Sequence, residues 1–380
     1  MIYKWILDNI KGDRWIWFIA LSLSILSLLV VYSATGSLAY QKMQGNTEYY
    51  LFKHFFLILL SFVAMWFTHK IDYKYFSQLS KISLYACIPL LLFTWKFGLN
   101  INDASRWINI PILNQAFQPS DLAKLSLIVY LSSYLSKHQM DIKNIKETLI
   151  FPLIWISVIC LLIALTNFSS SVLLFVTSII LLFISRVPIK YLTLLLVSFI
   201  IAGSIAIFIG QRGQTVISRF ENFIENKEIP FQLKQAYIAV STGGLFGKGP
   251  GKSNQKNFLP QSYSDFIYAI IIEEYGLVTG LFVLILYLLL LYRGLVTLMR
   301  SERAFGGLLS AGLSFALVIQ AIINMCVVVG LLPVTGLTLP LISMGGTSQL
   351  FTGITLGIIL SVSRYNEDEN NNNLVYDKVI

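Results

Sequence analysis

Seven ionisable residues stand in or beside long apolar stretches of this sequence: Arg106, Asp121, Lys124, Lys252, Lys256, Asp265 and Glu273. Charged side chains are rare within apolar membrane spans, and they mark functional sites by default. Asp121 and Lys124 are three residues apart, so on a helix they share one face within pairing distance. Residues of a helix are about 100° apart, so Glu273 lies about 80° around from Asp265 and Glu274 lies on the opposite side. Only Glu273 is therefore expected to share a cavity with Asp265.

A glycine-rich segment precedes Asp265 and could bind an anion. It reads Gly-Gly-Leu-Phe-Gly-Lys-Gly-Pro-Gly over residues 243–251, and Lys252 and Lys256 follow it. Glycine permits close backbone approach and unusual dihedral angles, and backbone N–H groups beside lysines can cradle a phosphate. A flexible surface loop has the same composition, so this segment alone does not decide between the two interpretations.

Two further groups of residues are interpreted as packing groups. Gln320 and Asn324 are four residues apart and share a helical face, which suits hydrogen bonds between helices. The cysteines are interpreted as core residues because they fall in apolar stretches without the spacing of metal ligands: Cys87, Cys160 and Cys326. No metal site is predicted.

Composition places these residues in a membrane protein. The 380-residue chain is 56% hydrophobic and 12% charged, with a mean hydropathy of +0.71, whereas a soluble domain carries roughly a quarter charged residues. The net charge is +9, but the sequence contains no basic stripe with interleaved aromatic residues. The charge therefore does not indicate a nucleic-acid partner. We therefore predict an all-α polytopic membrane protein.

Ten apolar stretches are long enough to span a bilayer, which takes about 20 residues. They lie at roughly 15–34, 51–68, 80–99, 121–136, 147–166, 169–186, 189–210, 265–292, 305–329 and 347–363. The fifth and sixth are so close that they could form one bent element. Residues 1–364 thus form one transmembrane domain, and the polar residues 365–380 are expected to be a disordered tail.

The distribution of lysine and arginine gives the orientation, because these residues concentrate in cytoplasmic loops. With the N-terminus inside, the inner segments hold most of them, while the short outer loops hold chiefly Lys42 and Arg106. The C-terminus is then also cytoplasmic, and the long connection at about 211–264 is external. This topology brings Arg106, the Asp121–Lys124 pair, the glycine-rich segment and Asp265 to the same outer face, which predicts an external site.

Several short motifs at these positions resemble the SEDS family, named for shape, elongation, division and sporulation. They are Ser-Arg-Trp-Ile (105–108), Phe-Gln-Pro-Ser-Asp-Leu-Ala-Lys (117–124), Gly-Gly-Leu-Phe-Gly-Lys-Gly (243–249), Asn-Phe-Leu-Pro (257–260), Ser-Asp-Phe-Ile-Tyr-Ala (264–269), Glu-Glu-Tyr-Gly (273–276) and Gly-Leu-Thr-Leu-Pro-Leu-Ile-Ser-Met-Gly-Gly (336–346). They occur in the family's order along most of the chain. Two departures stand out: Asp121 replaces the usual Glu, and Thr-Asn-Phe-Ser (166–169) replaces the usual Pro-Asp-Phe-Gly or Pro-Asp-Leu-Gly. We assign no catalytic role to Asn167.

The resemblance implies a peptidoglycan glycosyltransferase of the inner membrane that polymerises lipid II. It also implies a partnership with a class B penicillin-binding protein and with other proteins of the division machinery. The chain looks nearer to the division members than to the elongation members, so a septal role is expected and an elongation polymerase is the alternative. A lipid II flippase and a scaffold that recruits division proteins also stay open as interpretations.

The chemistry that the resemblance implies assigns a role to each residue. A diphosphate leaves as an anion, so no second carboxylate is needed as a general acid, in contrast to glycoside hydrolases. Asp265 is then the expected catalytic base, and Arg106 and Lys124 are expected to stabilise the diphosphate. Asp121 would orient Lys124, while Lys252, Lys256 and Glu273 would contribute to substrate binding. No cofactor is required, and assistance by a divalent cation such as Mg²⁺ or Mn²⁺ stays open.

Overall fold

A computed structural model describes residues 11–42, 46–101, 104–110, 115–138, 145–209, 213–225 and 229–376. Within these residues the chain forms thirteen α-helices and three short strands. The helices are α1 (Arg14–Ala34), α2 (Gly36–Lys42), α3 (Thr47–Lys70), α4 (Lys74–Phe97), α5 (Pro119–Lys137), α6 (Ile145–Ala164), α7 (Phe168–Ile184), α8 (Ile189–Ile209), α9 (Gly213–Glu225), α10 (Phe231–Gly243), α11 (Ile267–Arg300), α12 (Ala304–Val328) and α13 (Thr347–Tyr376). The strands are β1 (Leu99–Ile101), β2 (Ala104–Ile110) and β3 (Gln115–Phe117).

Ten of the helices coincide with the ten predicted spans, and α6 and α7 are separate elements. Within the described residues, six helices (α1, α3, α4, α8, α11 and α12) are long and apolar enough to cross a membrane, and α7 and residues 149–164 of α6 are shorter apolar helices. The two others, α5 and α13, carry polar side chains but are largely buried in the bundle. The prediction of an all-α polytopic membrane protein is confirmed.

Small residues let α13 approach α3 closely. A Cβ atom on Gly353 would lie 2.3 Å from the carbonyl oxygen of Ser61, and one on Gly357 would lie 1.8 Å from Oγ1 of Thr68. Ser61 also donates a hydrogen bond of 2.8 Å to the carbonyl of Gln349. Close backbone contact at small residues is the usual way in which membrane helices associate, so this pair is fixed by steric fit.

Hydrogen bonds between loops define one end of the bundle, which we call the site end. There α1, α6 and α12 finish, and α5, α7, α11 and α13 begin. Ser262 bonds to the carbonyl of Ala34 over 3.2 Å, and the backbone N–H of Gln118 donates to Thr347 over 3.3 Å. These contacts bring the loops from all parts of the chain together around one region.

The last helix differs from the sequence-based expectation. Helix α13 continues past residue 363 to Tyr376, whereas a disordered tail was expected from residue 365. At the end opposite the site end, Asn366 donates to the carbonyl of Thr297 over 3.2 Å, and the ring of Tyr365 packs against Tyr73. These contacts hold the first residues beyond the predicted span, and a nucleated helix extends at little further cost even through polar residues.

Hydropathy does not predict two features of the site end, the strand meander and the break in α11. The strands form an antiparallel meander in the order β1, β2, β3 between α4 and α5. Helix α11 is broken at Gly276, whose φ of 84° and ψ of 171° are not helical. The external connection expected at 211–264 contains helices α9 and α10 and the glycine-rich segment. These elements place charged groups above the bundle.

Candidate active site

Asp265 lies two residues before α11 at the site end, and neighbouring residues fix its position. Ser264 donates its hydroxyl to Oδ1 of Asp265 over 3.1 Å. The side-chain amide of Asn324, on α12, donates to the backbone carbonyl of Asp265 over 2.7 Å. The Asp265 side chain is half-buried. It therefore offers a carboxylate to solvent while its backbone is held by a separate helix.

Arg106 approaches the same point as Asp265 from strand β2. A Cβ atom on Gly336 would lie 3.4 Å from Oδ2 of Asp265 and 3.9 Å from Nη1 of Arg106. Gly336 has a φ of +69°, which favours glycine, and the lack of a side chain leaves space between the two charged groups. Arg106 is itself oriented by a 3.2 Å hydrogen bond from Nε to the carbonyl of Thr166. Arg106 and Asp265, both expected at one external site, thus lie close to the same point.

Residues 330–346, which we call the strap, connect α12 to α13 and pass beside Asp265. The backbone N–H of Met344 bonds to the carbonyl of Tyr263 over 2.9 Å, and Ser343 donates to the carbonyl of Ser264 over 2.7 Å. On the other side, the amides of Gln320 and Asn324 donate to Thr338 and Leu337 of the strap. The strap is thus bonded on both sides, and Gly336 stays in place.

Tyr263 brings an uncharged phenol near Asp265. Burial raises the pKa of Tyr263, and the neighbouring Tyr50 and the negative charge of Asp265 raise it further. Both causes disfavour the phenolate, so the ring adds no charge to the site at neutral pH.

Asp121 and Lys124 form the predicted ion pair in the first turns of α5. Nζ of Lys124 lies 2.8 Å from Oδ1 of Asp121, with side-chain exposures of 15% and 6%. Nζ also donates to Oε1 of Gln320 over 3.4 Å. The pair lines a cavity of about 440 Å³ among α5, α7, α12 and α13. Arg106 does not line this cavity. Lys124 and Arg106 therefore line different spaces at the site end.

The glycine-rich segment is docked into the break of α11. The N–H groups of Leu277 and Val278 donate to the carbonyls of Gly244 and Leu245, and the N–H groups of Lys248 and Gly249 donate to the carbonyls of Glu273 and Glu274. A Cβ atom on Gly276 would lie 2.2 Å from the carbonyl oxygen of Leu245, and one on Gly247 would lie 2.3 Å from that of Glu274. The glycines here permit close contact between two backbones.

Glu273 is directed at this segment. Its fully buried carboxylate accepts hydrogen bonds from Lys248 over 2.6 Å, from the hydroxyl of Ser253, and from the backbone N–H groups of Asn254 and Gln255. Glu274, expected on the other side of the helix, accepts from the backbone of Ser253 as well. The segment thus bonds both glutamates, although adjacent residues leave a helix about 100° apart.

The two lysines expected to bind substrate lie at the edge of this segment. Lys256 donates to the carbonyl of Gly251 over 2.7 Å and to the hydroxyl of Ser33 over 3.1 Å. Lys252 is exposed. Lys256 thus fastens the segment to the end of α1, and Lys252 faces solvent at the site end.

Arg219 is a residue that sequence reasoning missed. It lies on α9, and its Nη1 donates to the carbonyl of Val334 in the strap over 2.9 Å. Arg219 and Arg106 line one cleft of about 380 Å³ together with Phe168, Ser169 and Thr215. The available signal was the pattern of residues 213–225, because apolar residues interspersed with polar and charged ones at this spacing are typical of an amphipathic helix. Two guanidinium groups in one cleft suit an anionic ligand.

The carboxylates of the site do not form a metal-binding cluster. Among the described residues, no three His, Cys, Asp or Glu side chains come together in a way that could hold a metal ion. Mg²⁺ is commonly held by one or two carboxylates and by the phosphates of a substrate. A divalent cation at this site would therefore need phosphate oxygens of the substrate to complete its ligands.

The fold and the site define a multi-pass membrane protein with a charged site built from loops at one end of its bundle. A family profile described as "Cell cycle protein", covering FtsW, RodA and SpoVE, matches residues 13–368. The chain therefore belongs to the FtsW, RodA and SpoVE family, the SEDS proteins, and the resemblance seen in its motifs is confirmed.

Similar sequences and structures agree over most of the chain. A probable peptidoglycan glycosyltransferase FtsW of Geobacter sulfurreducens is 31% identical over 358 residues, covering 93% of this chain and 95% of that protein. Stage V sporulation protein E of Bacillus subtilis is 31% identical over 359 residues, covering 91% and 95%. The solved structure of the Thermus thermophilus rod shape determining protein RodA matches with a TM-score of 0.68 and 23% identity, covering 93% and 97%.

A further solved structure, described as "Structural coordination of polymerization and crosslinking by a peptidoglycan synthase complex", matches with a TM-score of 0.73 and 22% identity. It covers 93% of this chain and 98% of that one. At this identity the two structural matches establish the fold.

Proposed function

We propose that this protein is a peptidoglycan glycosyltransferase that polymerises lipid II into glycan strands during septal cell-wall synthesis. Relatives about 31% identical over most of the chain carry the name peptidoglycan glycosyltransferase FtsW, which supports both the activity and the division role. The observation that carries the proposal is the convergence of Asp265 and Arg106 beside Gly336. A base and a cation at one point are what this reaction needs.

The reaction joins a sugar hydroxyl of one lipid-linked molecule to the anomeric carbon of another. Asp265 accepts the proton of the attacking hydroxyl, the new C–O bond forms, and the bond from the anomeric carbon to the diphosphate oxygen breaks. The electron pair of that bond leaves with the polyprenyl diphosphate. Because this leaving group is stable as an anion, no acid has to protonate it, and one carboxylate is sufficient.

The negative charge that grows on the leaving diphosphate is stabilised by Arg106 and Arg219. Both line the same cleft, and each guanidinium is oriented by a backbone carbonyl, that of Thr166 or that of Val334. Preorganised donors aimed at developing charge supply a large part of the rate in such reactions. The turn between α6 and α7 and the strap, which carry these carbonyls, therefore support catalysis.

The site faces the outer side of the inner membrane in this proposal. The lysines and arginines of the short loops at the opposite end, among them Arg14, Lys70, Lys74 and Arg303, support a cytoplasmic location for that end, where α1 begins and α13 ends. The polyprenyl chains then stay in the bilayer while the sugars react in water.

A class B penicillin-binding protein transpeptidase is the proposed partner, together with other division proteins. The structural match to a peptidoglycan synthase complex that couples polymerisation to crosslinking supports this pairing. Lipid II and the membrane are the other partners, and nothing in the composition favours nucleic acid. An elongation polymerase remains the nearest alternative, since the RodA structure has the same fold.

The test is polymerisation of purified lipid II by the protein together with its transpeptidase partner in lipid nanodiscs. Replacing Asp265 by Asn should lower the rate by about 10²–10⁴-fold, the usual contribution of a general base. Asp72→Asn makes the same chemical change at a residue that pairs with Lys74 at the opposite end, and it should leave the rate unchanged. An Asp265→Asn enzyme that polymerises at the wild-type rate would refute the assignment of the base.

A second experiment separates the enzyme from a flippase and from a scaffold. Proteoliposomes receive lipid II only in the leaflet that faces the site end. Polymer formed from that leaflet alone supports the enzyme, whereas transfer of lipid II without polymer supports the flippase. A scaffold would produce neither result, and its binding of division proteins would not change in the Asp265→Asn variant.

A further inference from the structure

The cavity below the Asp121–Lys124 pair contains an acceptor without a donor. Oδ1 of Asp121 is paired with Lys124, whereas Oδ2 is buried and has no hydrogen-bond partner among the residues that the structure describes. Leaving a buried charged acceptor unsatisfied is expensive, so a donor from a ligand is expected at Oδ2. Asp121, Lys124, Gln320 and Ser348 contribute polar groups to the lining of this cavity.

The charges of this cavity favour a neutral ligand over an anion. The ammonium of Lys124 is neutralised by Asp121 and also bonded to Gln320. Because Oδ2 of Asp121 carries negative charge, a phosphate at the same place would be repelled. An ammonium has three protons, and the two contacts of Lys124 leave one of them available. The cavity therefore offers one strong acceptor and one donor side by side.

The remaining walls of the cavity are divided between polar and apolar groups. Ser348 adds a hydroxyl near the start of α13, and the apolar wall is formed by Leu125, Leu173, Leu317 and Phe351 among others. A secondary amide with a methyl group matches this division. Its N–H donates to Asp121, its carbonyl accepts from Lys124 or Ser348, and its methyl contacts the apolar wall.

We propose that this cavity recognises the 2-acetamido group of the amino sugar whose hydroxyl is deprotonated by Asp265. This inference rests on the proposed function and assigns a specificity site to it. The two sites then have separate roles. The cleft lined by Arg106 and Arg219 binds the diphosphate, and the cavity lined by Asp121 and Lys124 binds a neutral part of the sugar.

Helix α12 sets the distance between this cavity and the base. Asn324 holds the carbonyl of Asp265, and Gln320, four residues earlier, holds Lys124. Four residues of helix rise about 6 Å, which is comparable to the width of one hexopyranose ring. A sugar can therefore place its acetamido group at Asp121 and a hydroxyl on the other side of the ring near Asp265.

The first test measures binding of soluble sugars and needs no polymerisation. Methyl 2-acetamido-2-deoxy-glucopyranoside and methyl glucopyranoside are compared by saturation-transfer NMR on the protein in nanodiscs, with inorganic pyrophosphate as a third probe. We expect the acetamido sugar to bind at least about tenfold more tightly, with the strongest transfer at its methyl group. Equal binding of the two sugars would overturn the proposal, while failure of lipid II polymerisation alone would count against the proposed function only.

Two matched double variants locate the site. Asp121→Leu with Lys124→Met removes the pair from the cavity without stranding one charge, and it should bind both sugars equally weakly. Asp13→Leu with Arg293→Met removes another buried ion pair, 2.5 Å apart at the opposite end, and should keep the preference. The proposal fails if the first variant still prefers the acetamido sugar, or if it loses affinity for pyrophosphate while the preference remains.

Discussion

Replacing Gly276 by Ala tests whether the glycine-rich segment is held in the break of α11. The new Cβ atom would lie 2.2 Å from the carbonyl oxygen of Leu245 and 2.6 Å from the backbone nitrogen of Gly247. Both neighbours are backbone atoms and cannot rotate away. The substitution must therefore move the segment away from α11 or force the helix itself to shift.

The cost follows from two contributions. The φ of 84° and ψ of 171° at Gly276 lie in a region nearly restricted to glycine, where another residue costs about 1–3 kcal/mol. Moving the segment breaks the four backbone hydrogen bonds that join residues 244–249 to α11, each of which contributes about 0.5–1.5 kcal/mol. Together these terms predict a loss of about 3–9 kcal/mol of stability.

Gly251→Ala is the matched control. Gly251 also has a positive φ, +76°, but no atom of the described residues lies within 4 Å of its would-be Cβ atom, so this variant has only the conformational strain, about 1–2 kcal/mol. Thermal unfolding in detergent measures stability, and trypsin cleavage after Lys248 and Lys252 reports release of the segment. We expect rapid cleavage in Gly276→Ala only. If both variants unfold at the same temperature and resist trypsin equally, the docking argument is wrong.

Three further substitutions test other parts of the structure. Arg219→Met should lower kcat/KM for lipid II by about tenfold to a hundredfold, the effect of losing a charged hydrogen bond, with an unchanged melting temperature. Lys124→Met should lower the free energy of unfolding by about 3–5 kcal/mol because it leaves the buried charge of Asp121 unpaired. Adding Asp121→Leu should restore most of that stability, and a double variant no more stable than the single one would contradict this. Gly353→Ala should cost about 1–3 kcal/mol by overpacking α13 against α3, whereas Gly36→Ala, with open space around it, should melt like the wild type.

Hydropathy and helical periodicity predict much of this fold for simple reasons. Each span must bury its backbone hydrogen bonds within itself in lipid, so each apolar stretch becomes a helix, and the described residues contain a helix at each of the ten predicted spans. Likewise, an i, i+3 pair depends only on local helix geometry, which is why the contact between Asp121 and Lys124 was predictable. Orientation by lysine and arginine remains a prediction.

The elements that were not predicted depend on contacts between distant parts of the chain. Glu273 was expected near Asp265 from an angle calculated for a regular helix, but Asp265 lies before the start of α11 and residues 248–255 occupy the carboxylate of Glu273. Arg219 becomes part of the site only because the strap brings Val334 to it. The helix beyond residue 365 depends on a partner in α11, Thr297. No local pattern encodes these pairings.

The break in α11 also has a consequence for biosynthesis. The carbonyls of Glu273 and Glu274 bond to Lys248 and Gly249, residues that leave the ribosome before α11 does. An unpaired backbone group in lipid costs several kcal/mol. The first half of α11 can therefore settle stably only after the preceding segment has crossed the membrane and met it. In the predicted orientation, translocation of one external segment thus becomes a condition for completing the next helix, and the order of the chain satisfies it.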